Sequence, residues 1–424
     1  MSPVPRQVLP DTATELADGS LAIGGVPILD LAALYGTPVF VYDEQHLRNR
    51  CREAVEAFGR DRVVYATKAF LCRAMARLAH EEGLRLDVAT GGELFVALAA
   101  GVPADRCVFH GNNKSLDELR YALTAGVRHI NVDSFDEIDR LELLHAEGLP
   151  VPKVQLRITP GVHAHTHEFI ATGQDDSKFG FNLGNGDAAA AVARAQRSSA
   201  VELVGLHCHI GSNVFAASSF AKAAEVMAGF AGPLGLPELT LGGGLGVAYV
   251  EGEEAPTITE WARVLLDACQ ALGVQSAVSV EPGRSIVANA AVTLYSVGTI
   301  KPIPGVRTYV SVDGGMSDNP RPVLYGSGYE AFLPRAVRAE RDDRVRLVGK
   351  HCENGDVLIF EAAVPADLRV GDVLATPVTG AYGYSMGSNY NMVTRPPVVF
   401  VRDGECRAVV RRQTYEDLLT CDSD

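Results

Sequence analysis

No two cysteines in this chain stand at the two-residue spacing that marks a zinc or redox pair. The eight present are scattered: Cys51, Cys72, Cys107, Cys208, Cys269, Cys352, Cys406 and Cys421. Neither a zinc site nor a disulfide framework is expected from them. Long apolar runs are also missing. None reaches the ~18 residues that would span a bilayer. The opening Met1-Ser2-Pro3-Val4-Pro5-Arg6 lacks the apolar segment of a signal peptide. A cytoplasmic protein with no membrane partner is expected. Positive charge is in deficit, with a net charge of −14, which argues against a nucleic-acid partner. Anionic small ligands stay open, because they need only local positive groups. No internal repeat or low-complexity tract is visible.

What is present is length and alternation. With 424 residues, 47% of them hydrophobic, the chain exceeds one typical core, and two domains are expected. From Val63 to Glu281, β-type runs alternate with helical stretches. The runs are Val63–Ala66, Leu84–Val88, Cys107–Phe109, His129–Val132, Lys153–Ile158, Glu202–His207, Glu238–Leu241 and Ala277–Val280. Helix-like segments between them include Gly91–Ala100, Ser115–Ala125, Ser134–Glu147, Ala188–Arg197 and Thr257–Ala271. Eight alternations over about 240 residues favour a (β/α)8 TIM-like barrel over a doubly wound open sheet. After about Val292, short runs separated by Gly, Pro and Asp turns predict an antiparallel β domain. The expected division is an N-terminal segment, 1–42, that joins the β domain; a barrel, 43–290; and the C-terminal β domain, 291–424.

Chemistry in such a barrel sits at the carboxyl ends of its strands, and the polar signals fall there. Lys68 closes the first run, in Tyr65-Ala66-Thr67-Lys68-Ala69-Phe70. Apolar neighbours would desolvate its amine and make it a nucleophile toward carbonyls; a snorkelling surface lysine fits the same position. His207-Cys208-His209-Ile210-Gly211-Ser212-Asn213 closes the sixth run. There His209 reads as a ring that stacks on a cofactor or as a satisfied core histidine. The turn Gly242-Gly243-Gly244-Leu245-Gly246 closes the seventh. Its backbone N–H groups can approach an oxyanion, or it is a tight turn without a ligand. Glu281-Pro282-Gly283-Arg284 closes the eighth. A carboxylate directed by the Pro-Gly turn suits a pyridine nitrogen; a buried Glu281–Arg284 pair is the plain reading. Together these features suit pyridoxal 5'-phosphate (PLP), whose protonated ring is an electron sink. His163, His165 and His167 alternate, but no Cys or carboxylate set accompanies them, so they read as a solvated loop rather than a metal site. In the β domain Cys352 stands beside Glu353, where a thiol could return a proton to carbon or be a buried structural cysteine.

Read in order, YATKAF, HCHIGSN, GGGLG, EPGR, DGGMSDNPRPVLYG, HCENGD and GAYGYSMGSNYN resemble the diaminopimelate decarboxylases. These belong to the PLP enzymes with an alanine-racemase-like barrel (fold type III). The resemblance runs from about Thr37 to Val409. It implies that Lys68 is the Schiff-base lysine and His209 the ring-stacking histidine. Ser212, Gly243, Gly244 and the Glu281–Arg284 turn, Gly283 included, would contact the phosphate and the pyridine. Arg284, Arg321 and Tyr325 would clamp the distal carboxylate of the substrate, and Glu353 its distal amine. Cys352 would donate the proton, and Tyr382 would touch both cofactor and substrate. A homodimer is implied, with Cys352 and Glu353 serving the partner subunit's site. Two departures stand out: Asn213 replaces the family's usual Gln, and Gly326-Ser327-Gly328 follows Tyr325 in place of the commoner Gly-Ala.

The implied reaction is decarboxylation of meso-2,6-diaminopimelate to L-lysine and CO2. Guanidinium groups bind carboxylates in bidentate fashion, which suits a substrate with a second carboxylate. The rivals are a decarboxylase of another dicarboxylic amino acid or a carboxylated polyamine, an amino-acid racemase on the same barrel, and a PLP-binding protein without catalysis. A racemase would favour a tyrosine base opposite Lys68 and a weaker partner for the ring nitrogen than Glu281.

Overall fold

The computed structural model describes residues 3–162 and 176–423. His163, His165 and His167 lie outside the described residues. The chain forms two compact units. The barrel unit comprises Arg50–Gly246 and Ala255–Ser285; the β unit comprises Met1–Asn49, Val247–Glu254 and Ile286–Asp424.

Eight strands build the barrel unit: β1 Val64–Ala66, β2 Arg85–Val88, β3 Cys107–Phe109, β4 His129–Val132, β5 Lys153–Thr159, β6 Glu202–His207, β7 Glu238–Thr240 and β8 Ala277–Ser279. Each lies parallel to the next in chain order. A parallel bridge between Val63 and Val280 closes the ring, with Val64 N–H donating to Val280 O at 2.9 Å and Ala66 N–H to Pro282 O at 3.0 Å. Closure excludes the open sheet. All four residues of β2 and of β4 are buried, as expected for parallel strands covered on both faces. A short extra strand, Phe181–Asn182, pairs with β5.

The helices begin where capping chemistry allows. Ser115 and Glu118 form a reciprocal capping box ahead of helix Leu116–Ala125, and Thr257 and Glu260 do the same for Ile258–Ala271. Ser134 and Thr90 cap Phe135–Ala146 and Gly91–Ala99 through the backbone N–H three residues on. Helix Ile258–Ala271 buries Ile258, Trp261, Ala262, Leu265 and Cys269 on one stripe. Trp261 is fully buried against Phe58 and Phe220, with ring centroids at 4.9 and 5.4 Å. Removing that indole would cost about 3–5 kcal/mol.

The β unit holds a large sheet. Its strands are β9 Ala291–Ile303, β10 Arg307–Val312, β11 Asp343–Val348, β12 Val357–Val364, β13 Val373–Pro377, β14 Val398–Arg402 and β15 Glu405–Val410, together with Val39–Asp43 from the N-terminal segment. The order is β12-β11-β10-β9-(Val39–Asp43)-β14-β15, and β13 also pairs with β9. The sheet is mostly antiparallel, as expected, with two parallel pairs. β10 runs parallel to β11, and Val39–Asp43 parallel to β14. A parallel neighbour requires a long crossover. Between β10 and β11 that crossover is residues 313–342, which carry the Arg321 segment. The first 40 residues also supply a small sheet of Thr14–Glu15, Leu21–Ile23 and Val26–Pro27.

Candidate active site

Five strand ends of the barrel deliver the polar groups. After β1 the strand hydrogen bonding stops at Ala66 and the chain enters a 3-10 turn, Thr67–Ala69. Two buried bonds fix the turn: Thr67 Oγ1 donates to Asp87 O at 2.6 Å, and Tyr65 OH to Phe70 O at 2.7 Å. The turn swings Lys68 outward, so it is exposed while Thr67 and Ala69 are buried. Of the two readings open for this lysine, a desolvated amine and a snorkelling side chain, its exposure matches the second. Its charge is nevertheless felt at the barrel mouth, where it acts on His110, His209 and Glu93.

At the end of β6, His207 and His209 stand two residues apart, and Cys208 between them is fully buried, which pushes its thiol up to about 12. His209 is half-buried. Desolvation, followed by the charges of Lys68 and Arg157, holds it well below the usual imidazole range, so the ring is neutral. Its Nδ1 accepts from Gly243 N–H at 3.2 Å, which ties the histidine to the glycine turn after β7.

That turn works because its residues have no side chain. A Cβ on Gly243 would lie 1.9 Å from Glu281 O, and one on Gly244, at φ +107°, would lie 2.0 Å from Gly211 O. The backbone of the turn is thus pressed against the segments that carry Ser212 and Glu281. Arg284 Nη2 donates to Ser212 Oγ at 2.9 Å, bringing a guanidinium and a hydroxyl beside the turn. Asn213 takes a left-handed φ of +60°, which asparagine tolerates better than most residues.

Glu281 is 7% exposed. Its Oε2 lies 2.9 Å from His207 Nε2, and its Oε1 lies 3.1 Å from His110 Nε2. Burial alone would raise its pKa, but the two histidines reverse this and hold the carboxyl well below the usual carboxylate range. Its pairing is thus with histidines, while Arg284 turns to Ser212. Oε1 is buried and, beyond its ion pair with His110, makes no further hydrogen bond among the described residues, so it keeps a lone pair open. A buried carboxylate with an open acceptor is the complement of a pyridinium N–H, so the residues present fit PLP. His110 and His207 were not singled out in the sequence. His207 was legible in principle, since it shares a strand face with His209. His110 follows β3 without a recognisable motif.

The β unit carries a second set. Arg321 opens a short helix, Arg321–Tyr325, and is 4% exposed. It donates to Tyr329 OH at 2.5 Å and lies over the Tyr249 ring at 4.3 Å. Tyr325 is half-buried. Asp318 fixes the loop before this helix by accepting from Tyr295 OH at 2.5 Å and from Gly315 N–H at 2.7 Å. Asp356, also missed in the sequence, joins two loops: its Oδ1 accepts from Met316 N–H and its Oδ2 from His351 N–H and Nδ1. Cys352 and Glu353 follow His351 and are exposed; Asn391 Oδ1 accepts from Cys352 N–H at 2.9 Å. An exposed Cys352 rules out the buried structural cysteine. Tyr382 takes φ +61°, a strained conformation for a bulky residue and one that concentrates at functional sites.

The chain is similar to known proteins along nearly its whole length. The profile "Pyridoxal-dependent decarboxylase, pyridoxal binding domain" matches residues 44–288. A diaminopimelate decarboxylase of Bacillus subtilis is 46% identical over 97% of both chains. One from Mycobacterium tuberculosis is 48% identical over 97% of both. The crystal structure of the M. jannaschii diaminopimelate decarboxylase in co-complex with L-lysine superposes with a TM-score of 0.89 over 98% of both chains, at 33% identity. The chain therefore belongs to the pyridoxal-dependent decarboxylases, within the diaminopimelate decarboxylase family.

Proposed function

We propose that this enzyme binds PLP through Lys68 and decarboxylates meso-2,6-diaminopimelate, releasing CO2 and L-lysine, the last step of lysine biosynthesis. The observation that carries the reading is Glu281: a buried carboxylate, flanked by two histidines that favour its ionised form, with a lone pair of Oε1 still open. The matched span 44–288 supports 43–290 as the cofactor-binding domain. The N-terminal segment 1–42 then belongs with the β domain of 291–424.

Bound PLP supplies the sink for the electron pair left behind when CO2 departs. The chain's own residues do the rest. Glu281 accepts the ring N–H and keeps that nitrogen protonated. His209, held neutral, offers a flat face for stacking and no competing charge. The N–H groups of Gly243 and Gly244, with Ser212, Gly283 and Arg284, cradle the phosphate, and the left-handed backbone at Gly244 allows the close approach. Arg321 and Tyr325, with Arg284, hold the distal carboxylate, and Glu353 holds the distal ammonium. Tyr382 contacts cofactor and substrate. Cys352 returns a proton to the carbon that lost CO2.

The exposure of Cys352 and Glu353 suits residues that complete a neighbouring subunit's site, and the chain is proposed to act as a homodimer. Beside Cys352, Tyr390 and Met392 are 41% and 69% exposed, an apolar surface of the kind a partner covers. Among the described residues no helix is long and apolar enough to cross a membrane, and all eight cysteines are free thiols. Both fit a cytoplasmic enzyme. L-lysine as product also fits the ligand named for the M. jannaschii structure.

The test is a substrate panel. Cofactor-loaded enzyme is given meso-diaminopimelate, its LL isomer, ornithine, lysine and arginine, and CO2 release is followed. Release from the meso compound with stoichiometric L-lysine is expected. Faster release from a substrate without a second carboxylate would overturn the assignment.

A further inference from the structure

Around Glu281 the barrel holds a cluster of buried polar groups, three of them ionisable, larger than cofactor contact requires. Asp87 lies in β2, His110 follows β3, Asn131 lies in β4 and His207 ends β6. All are buried, at 1–6% exposure. His207 and His110 approach opposite oxygens of the Glu281 carboxylate, and the two imidazoles meet edge to face with centroids 5.1 Å apart. Behind them, Asp87 Oδ1 lies 3.7 Å from His110 Nε2, and the Asn131 amide nitrogen lies 2.8 Å from the same atom.

A carboxylate this deep needs opposing charge to stay ionised, because burial favours its protonated form. A protonated Glu281 would donate rather than accept, and the ring nitrogen above it would lose its partner. Among the described residues, His110 and His207 form ion pairs with Glu281. Desolvation disfavours a charged His110, yet Asp87 and Glu281 outweigh it and raise its pKa, whereas burial pushes His207 down. The pair thus divides the work: the Asp87 carboxylate behind His110 biases it toward its charged form, and His207 fixes direction through its hydrogen bond.

We propose that His110 and His207 are positioning residues that clamp Glu281 from both sides, hold it ionised and aim it at the ring nitrogen of the cofactor, with Asp87 anchoring the clamp. The inference rests on the PLP reading above. It predicts that this protein discriminates between PLP and an analogue whose ring nitrogen is replaced by CH.

The experiment measures how tightly the cofactor-free protein binds PLP and the CH analogue, in wild type, His110→Gln and His207→Gln. Glutamine keeps a hydrogen-bond donor and removes the charge. The wild type should prefer PLP; His110→Gln, which loses the charge, should lose about 10- to 100-fold of that preference, as expected for a lost charge-assisted contact, and His207→Gln, which keeps the donor, should keep most of it. Binding of the CH analogue should change little. Equal preference in all three proteins overturns the clamp. A second measurement needs no variant: with 15N at the ring nitrogen, the wild-type complex should show a protonated nitrogen, and an unprotonated one overturns the proposal even if the variants fail to fold. The three groups His110, His207 and Glu281 also lie within 4.8 Å of one another. Tight zinc binding there that blocks PLP would likewise overturn it. A wild type that binds neither compound defeats the PLP reading itself, and is told apart by the missing cofactor absorbance.

Discussion

Arg321 is held as a specificity residue must be. Its guanidinium is buried between Tyr249 and Tyr329, so its orientation is fixed before any ligand arrives. Arg321→Ala should therefore lower kcat/KM for meso-diaminopimelate by about 10- to 100-fold while leaving PLP affinity within about twofold. Steady-state kinetics and cofactor titration check the two halves. Lys68 teaches a different lesson. Its neighbours are apolar, and the sequence leaves a desolvated amine and a snorkelling surface lysine both open. The strand ends at Ala66, where the run read from the sequence also ends, and the 3-10 turn after it carries the side chain out. Exposure is a property of the turn, not of the run before it. Glu281 shows the converse: the Pro-Gly turn made its direction legible, but the identity of its partners was not. Those partners, His110 and His207, converge from strands far apart in sequence, and no spacing rule brings them together.

At the scale of elements, most of the barrel was legible because each strand is a short apolar run bounded by capped helices. Cys107–Phe109, His129–Val132 and Glu202–His207 have the ends read from the sequence, and Ser115, Ser134 and Thr257 mark their helix starts as caps. The β unit was less legible. Its strands could be found, but partner choice depends on contacts distant in sequence. The parallel β10–β11 pairing follows from the long crossover at residues 313–342, whose folding depends on buried polar anchors. Asp318 is one of these. Burial pushes its carboxyl up from 3.8 to about 7, against the lowering hydrogen bonds of Tyr295 and Gly315. With the folded pKa raised, the folded state binds this proton more tightly than the unfolded one. Its contribution to stability is full below about pH 4 and is lost as pH rises through about 7, a span of a few kcal/mol at most. Asp318→Asn should remove that part of the pH dependence. Denaturant melts of both proteins between pH 4 and 8 check it: the stability difference should move in favour of the variant as pH rises. A difference that is flat with pH would show that Asp318 does not titrate in this window.

For the whole molecule, the question is where one site's groups come from. Lys68 and Glu281 belong to the barrel unit, Cys352 and Glu353 to the β unit, and the last two are exposed. If a homodimer shares its sites, Lys68→Ala and Cys352→Ala are each nearly inactive alone, and mixing them under conditions of subunit exchange restores activity. One site of each mixed dimer then has both groups intact, so recovery approaches about a quarter of the wild-type rate for random exchange. Exchange confirmed by mass, with no activity returned, would mean each site is built within one chain.

The central claim is that carbon dioxide leaves one end of a diamino dicarboxylate and a proton replaces it. The most direct test runs the reaction on meso-diaminopimelate in deuterium oxide and analyses the products by mass spectrometry and proton NMR. The L centre survives in L-lysine, so the carboxylate is lost from the D centre, which becomes the ε carbon of the product. The account predicts one CO2 per substrate consumed and L-lysine with a single non-exchangeable deuterium on that ε carbon. Deuterium entering unreacted diaminopimelate without release of CO2 would mark a racemase and contradict it.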